Sequence, residues 1–415
     1  MKGNMVLPLK SFPTKDSIHL FQFKHTPVVL DYSYALLGYF THNITSNFVC
    51  RIKSSYKMKK LFTPFEKGPL KLKNRLVMAP MTRSRAIGNL PNELMATYYS
   101  QRSGAGLIVT EGTSPSPQGL GYPRIPGIYS DEQVKEWKKV TDAVHQNGSK
   151  IFLQIMHTGR IAHVANIPGG QLPVGPSDIR AAGEIFTDSL GLQQHSVPEA
   201  LNLEGITRVI AEFVSASKNA ILAGFDGVEL HGANGYLLEQ FLNPNVNNRT
   251  DEYGGNFKNR SRLIVEITEG IAAAIGPDKI GIRFSPFSQL SDQQPYDTEE
   301  VHQTYAHLSS ELDKIGIAYI HLSTNPAIPE KTYHAIRTGF NNTIIYCNGL
   351  TMETAELKLQ DNSADLVAFG RGFLANPDFV RRIEKNDPLN DVDFATLYTP
   401  GETGYIDYPI YSSLQ

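Results

Sequence analysis

The chain has 415 residues, 41% hydrophobic and 19% charged, an ordinary globular composition that excludes wholesale disorder. Lys and Arg number 39 against 41 acidic residues, a formal net charge of -2, so no basic field supports nucleic-acid binding. Two cysteines, Cys50 and Cys347, exclude a disulfide scaffold, a four-cysteine zinc site and a cysteine-ligated iron–sulfur cluster.

Residues 1–57 carry scattered aromatic and basic residues with no sustained helical or strand period. They read as an N-terminal extension outside the folded domain. Within them the apolar stretch 28–40, VVLDYSYALLGYF, is interrupted by Asp31 and is followed by no small-residue cleavage site, so it makes a poor signal peptide. No run of about 18 apolar residues occurs, so no transmembrane helix is expected. The expectation is a cytoplasmic protein with neither membrane nor nucleic-acid partner. Met58 opens MKKLFTPFEKGPLKLKNRLVMAPMTR, a fresh start, and 58–415 is taken as one domain.

Eight short β-prone runs follow in that domain: LVMAPM (76–81), LIVTEG (107–112), IFLQIM (151–156), GVELHG (227–232), IGIRFS (280–285), AYIHLS (318–323), TIIYCN (343–348) and LVAFGR (366–371). Lacking strict alternation, they suit strands buried on both faces of a parallel sheet. Helical patterns lie between them. Ser130 and Gln133 form a capping-box pair ahead of Val134, Trp137, Val140 and Val144, and Asn147-Gly148 ends that helix. Ile206, Val209, Ile210, Phe213, Val214 and Ile221 make a second stripe with Gly224 beyond its end. Val301, Tyr305, Leu308 and Leu312 make a third. Eight strand–helix repeats without a strand–GxGxxG–helix fingerprint predict an α/β fold, a single (β/α)8 TIM barrel, in preference to an open doubly wound sheet. The connection from His157 to about Glu204, rich in Pro and Gly, is too long for an ordinary βα loop and predicts a capping insertion after strand three.

Barrel active sites stand at the C-terminal ends of the strands. There the chain places Pro80, Met81, Thr82 and Arg83, then Glu111-Gly112, Gln154 with Met156, His231 through Tyr236, Arg283, Asn348-Gly349 and Gly370-Arg371-Gly372. Glycines and an arginine after strands seven and eight suit a phosphate, since backbone N–H groups can approach its oxygens. The plainer alternative is two tight turns with Arg371 paired to an acid. Asp251, Arg249 and Arg260 are read as fixing the loop after strand four, Trp137 as core and Cys347 as a small buried hydrophobe. No HExxH-like spacing links the histidines, so no metal is expected.

The motifs MAPMTR (78–83), LQIMHTGR (153–160), HGANGYLLEQFLNPNVNNRTDEYGG (231–255), GRGFLANPD (370–378) and GYIDYP (404–409) resemble, in order, those of the old yellow enzyme family of FMN-dependent ene-reductases. Within that family the likeness is to the bacterial N-ethylmaleimide reductase and NADPH dehydrogenase group. The resemblance implies a barrel holding one noncovalent FMN, with NADPH in preference to NADH as reductant. It places Thr82 at the flavin O4 region, Pro80, Met81 and Gly112 along the ring, Gln154 at the pyrimidine edge and Arg283 near N1 and O2. Gly349, Gly370 and Arg371 would hold the phosphate. His231 and Asn234 would bind the substrate carbonyl, Tyr236 would donate a proton, and Tyr398 and Met156 would line the substrate side. Many relatives have Trp where this chain has Met156, which should widen the pocket or change substrate orientation.

The implied reaction passes hydride from NAD(P)H by way of the flavin to the β-carbon of an activated alkene (enone, enal, maleimide or nitroalkene), while Tyr236 protonates the α-carbon. An oxyanion that develops on the substrate needs donors, which His231 and Asn234 can be. A monomer or homodimer is expected. Two rival readings are a phosphate-binding barrel isomerase or aldolase without flavin, and a non-catalytic flavin-binding protein. The first would want a lysine or carboxylate base at a strand end, and no such lysine stands there.

Overall fold

The computed structural model describes residues 60–68 and 70–412; the expected boundary at Met58 and the extension before it lie outside them. An antiparallel hairpin comes first, β1 (Phe65–Lys67) and β2 (Leu70–Leu72), pairing Phe65 with Leu72. Then β3 (Leu76–Met78), α1 (Glu93–Gln101), β4 (Leu107–Val109), α2 (Asp131–His145) and β5 (Lys150–Ile155) begin the barrel. Four short strands form the insertion: β6 (Val174–Gly175), β7 (Glu184–Thr187), β8 (Gly191–Gln194) and β9 (Glu199–Ala200). The repeat resumes with α3 (Leu203–Leu222), β10 (Gly227–Gly232), α4 (Leu237–Leu242), α5 (Phe257–Ile275), β11 (Ile280–Phe284), α6 (Thr298–Ile315) and β12 (Tyr319–Ser323). It closes with α7 (Glu330–Gly339), β13 (Thr343–Cys347), α8 (Met352–Gln360), β14 (Leu366–Phe369), α9 (Arg371–Ala375) and α10 (Phe379–Lys385). The eight strands β3, β4, β5 and β10 to β14 pair in parallel into a closed barrel in chain order. Each coincides with one of the eight runs read from the sequence, and the capping insertion falls where it was expected.

Local chemistry accounts for the helix starts. Ser130 accepts the Gln133 N–H while the Gln133 side chain reaches back to the Ser130 N–H, the reciprocal box expected for α2. Gly224, at φ +89°, follows α3 in the left-handed conformation that ends a helix cheaply. Trp137 is fully buried, its indole N–H on the Gly127 carbonyl at 3.0 Å.

Strand periodicity of two then sorts the strand residues. Leu76, Met78, Ile108, Leu153, Leu230, Ile282 and Ile344 join the large cluster beneath the helices. Val77, Leu107, Val109, Phe152, Tyr319, Ile345, Cys347 and Leu366 face the barrel axis, and Phe65, Leu70 and Leu72 of the hairpin pack with them. Two glycines make room for the axial rings. A Cβ on Gly281 would lie 2.1 Å from the Tyr319 ring, and one on Gly227 would lie 2.5 Å from that of Phe152. The same inward parity places Gln154, Glu229, His231, Arg283 and His321 on the axis nearer the C-terminal rim, where the site is built.

Candidate active site

A cleft of about 1020 Å³ opens over that rim. Its lining includes Pro80, Thr82, Gln154, Met156, His231, Asn234, Tyr236 and Tyr398, eight of the residues singled out in the sequence. Strand register brings them together: Glu229 pairs with Gln154, His231 with Arg283, and Arg283 with His321. Met81, Gly112, Arg283, Gly349, Gly370 and Arg371 do not line this cleft. They stand at or just beyond the C-terminal ends of barrel strands, Gly112 against Met156, Met81 against Gly370, and Gly349 and Gly370 after the adjacent β13 and β14. A Cβ on Gly112 would fall 2.5 Å from the Met156 Sδ, so Met156 occupies the space that glycine leaves. Arg371 makes no ion pair among the described residues; its guanidinium lies 5.5 Å from the Phe394 ring centroid, unlike the acid-paired turn considered as the alternative.

The turn after β10 is unusual. Asn234 and Gly235 both adopt left-handed backbone, φ +57° and +81°. A Cβ on Gly235 would meet the Leu290 carbonyl at 2.7 Å, so glycine is required there. The turn aims the Tyr236 ring at His231, 4.8 Å between centroids, and puts the Tyr236 hydroxyl 3.2 Å from that of Tyr122. Burial, with Tyr122 beside it, pushes the Tyr236 phenol well above 10, so it is protonated throughout the neutral range. Burial and the Arg283 cation lower His231 to about 3, so its imidazole is neutral and can donate one N–H without carrying charge.

Beneath these groups lies a buried polar layer. Gln154 donates to Glu229 at 2.8 Å, and His321 Nδ1 lies 2.8 Å from the other Glu229 oxygen. Burial pushes the Glu229 carboxyl up, but His321, Arg283 and Gln154 outweigh it and hold it below the usual range. Arg283 is 5% exposed; its Nη2 is 3.7 Å from the Cys347 sulfur, while Nε and Nη1 have no partner among the described residues. Cys347 is buried among apolar residues, as expected, yet it also touches this cation.

The rim is held by arginines. Arg124 joins three segments: the Asp188 carboxylate of the inserted hairpin, the Tyr398 carbonyl at 2.9 Å and the Ser84 carbonyl at 3.1 Å. Ile185, Phe186 and Asp188 of the hairpin line the cleft. Arg249 and Arg260 serve structure, as expected. Arg249 binds Asp251 and the Pro176 carbonyl, and Arg260 binds the Leu242 carbonyl and Glu300. Sequence reading missed Tyr122, Arg124, Glu229 and Glu239. For the two glutamates, inside GVELHG and GYLLEQ, a signal was available, since charge within an otherwise buried run implies a partner.

A family match covers residues 60–390: NADH:flavin oxidoreductase / NADH oxidase. The chain belongs to this family. It is the old yellow enzyme family that the motifs resembled, and its members are FMN-dependent oxidoreductases. Among family members, 12-oxophytodienoate reductase 1 of Oryza sativa subsp. japonica is 43% identical over 364 residues, 85% of this chain and 94% of that protein. Flavin oxidoreductase hxnT of Emericella nidulans is 38% identical over 383 residues, covering 85% and 98%. A solved structure of morphinone reductase superposes with a TM-score of 0.82 at 40% identity, covering 86% of this chain and 98% of that one. Another such structure, in complex with tetrahydroNAD, is 41% identical. These comparisons establish the family without singling out its bacterial N-ethylmaleimide reductase branch.

The residues present fit the family's FMN. The unpartnered Arg283 nitrogens supply buried cationic donors. Gly349, at φ +64° with no heavy atom within 4 Å of a Cβ position, leaves backbone open beside the Gly370–Arg371 turn. Among the described residues no helix is long and apolar enough to cross a membrane, and no three His, Cys, Asp or Glu side chains gather as a metal site.

Proposed function

We propose that this oxidoreductase reduces activated alkenes (enones, enals, maleimides and nitroalkenes) at the expense of NAD(P)H. The observation that carries the reading is the convergence of His231, Asn234 and Tyr236 on one cleft, two hydrogen-bonding side chains and a protonated phenol within a six-residue span. When bound, FMN would supply the hydride-transfer chemistry between nicotinamide and alkene. Thr82, Pro80, Met81, Gly112, Gln154 and Arg283 would hold its ring, and Gly349, Gly370 and Arg371 its phosphate. His231 Nδ1 and Asn234 Oδ1 have no partner among the described residues, which leaves both side chains free to orient toward a substrate. Neutral imidazole and carboxamide N–H groups would bind the substrate oxygen and strengthen as negative charge develops there; one such donor is worth about 3 kcal/mol. Tyr236, high in pKa and facing the cleft, would deliver its proton to the α-carbon. Met156 and Tyr398 would bound the substrate side. The test is the visible spectrum of the FMN-loaded protein. NADPH or NADH should bleach it, and cyclohexenone should restore it. A protein that binds no FMN, or is reduced but never reoxidised by any of the four alkene classes, would overturn the reading.

A further inference from the structure

Glu239 lies on α4, three residues beyond Tyr236, and is 5% exposed. Its Oε2 accepts the Gly235 N–H at 2.6 Å. Its Oε1 accepts the Ser285 hydroxyl at 2.7 Å and the Tyr305 hydroxyl at 3.1 Å. Ser285 Oγ in turn accepts the Asn234 N–H at 2.8 Å. Both left-handed residues of the turn therefore direct their N–H groups inward, one onto Glu239 and the next onto a hydroxyl that Glu239 fixes. The neighbouring Gln240 takes the opposite polarity, donating to the Gly235 carbonyl at 2.7 Å. The Asn234 and Tyr236 side chains are left pointing at the cleft.

We propose that Glu239 is a positioning residue for alkene reduction, its carboxylate holding the Asn234–Gly235–Tyr236 turn through Gly235 and Ser285. The inference rests on the catalytic reading of Asn234 and Tyr236. A backbone N–H cannot reverse its polarity, so the oxygen facing Gly235 must remain an acceptor. Protonation on the other oxygen adds a donor there and weakens it as an acceptor, so the Ser285 and Tyr305 hydroxyls can no longer both donate to it at full strength. Among the described residues, the ionisable groups facing Glu239 are Tyr305 from α6 and, farther off, Tyr296, and no cation sits beside it. Burial raises Glu239 to about 7 against three hydrogen bonds that lower it, so the turn loses its carboxylate clamp as the medium is acidified through neutrality.

The experiment compares the wild type, Glu239→Gln and Ser285→Ala, all FMN-loaded. Cyclohexenone reduction is expressed as kcat per bound flavin, with KM, from pH 5.5 to 8.5. The wild type should lose kcat on acidification with an inflection near neutrality. Glu239→Gln should have kcat per bound flavin roughly tenfold lower at high pH, as for a misplaced reacting group, with the inflection gone. A role in stability alone would lower flavin occupancy and leave kcat per bound flavin unchanged, and that result overturns the proposal. If Glu239→Gln does not fold, Ser285→Ala carries the test: it should lower kcat per bound flavin, and an unchanged kcat and pH profile refute the inference. Failure of the wild type itself to reduce any alkene would sink the functional reading instead.

Discussion

Glu111 offers a quantitative test of how the barrel rim is held. It follows β4, is fully buried, and accepts the Arg83 N–H and the Tyr99 hydroxyl, both at 3.3 Å. It thus ties the end of one barrel strand to the next, directly beside Gly112. Burial raises its carboxyl from 4.5 to about 7, while hydrogen bonds and the Arg83 and Arg85 cations only partly offset that. Because the folded pKa lies above the unfolded one, the folded state holds the proton more tightly. Glu111's contribution is therefore most favourable below 4.5 and is lost as pH rises through about 7. A shift of this size corresponds to about 3 kcal/mol. With a melting entropy of about 2.1 cal/mol/K per residue over roughly 350 residues, that is about 4 °C in Tm. Glu111→Gln keeps the shape and removes the titration. His157 and His231, buried neutral and lowered to about 3, push stability the other way on acidification, but they cancel in the comparison of the two proteins. Calorimetry of both proteins from pH 4.5 to 8.5 should show the wild type falling relative to the variant by about that amount. Parallel curves across the range would refute the reasoning.

Two further outcomes follow from the site. Tyr236→Phe should leave flavin bleaching by NAD(P)H intact and slow reoxidation by cyclohexenone about 10²–10⁴-fold; equal losses in both stopped-flow phases would remove the proton-donor role. Gly235→Ala places a Cβ against the Leu290 backbone at a left-handed position, so it should cost about 1–3 kcal/mol in denaturant unfolding and lower alkene turnover. A variant as stable as the wild type would show that the turn relaxes freely.

The barrel was legible in the sequence because its determinants are local. Eight β-prone runs, the Ser130–Gln133 box and glycines beyond helix ends each act over a few residues, and a closed parallel sheet is how eight such repeats bury both faces of every strand. His231, Asn234 and Tyr236 were legible for the same reason, lying within one short segment at one strand end. Their supports were not. Tyr122 meets Tyr236 from 114 residues away, and Glu229 meets His321 from 92. No pattern of period two or 3.6 encodes such distances; barrel closure and strand register create them. Glu239 shows the division within a single residue. Its position on a helix after the turn could be read from sequence, but its raised pKa comes from burial, and its hydrogen-bond partners Ser285 and Tyr305, which partly offset that, are brought in by β11 and α6. Sequence alone determined which side chains stand at the rim. Tertiary structure decided their protonation states and directions, because desolvation and hydrogen bonding depend on everything packed around a group, not on its neighbours along the chain.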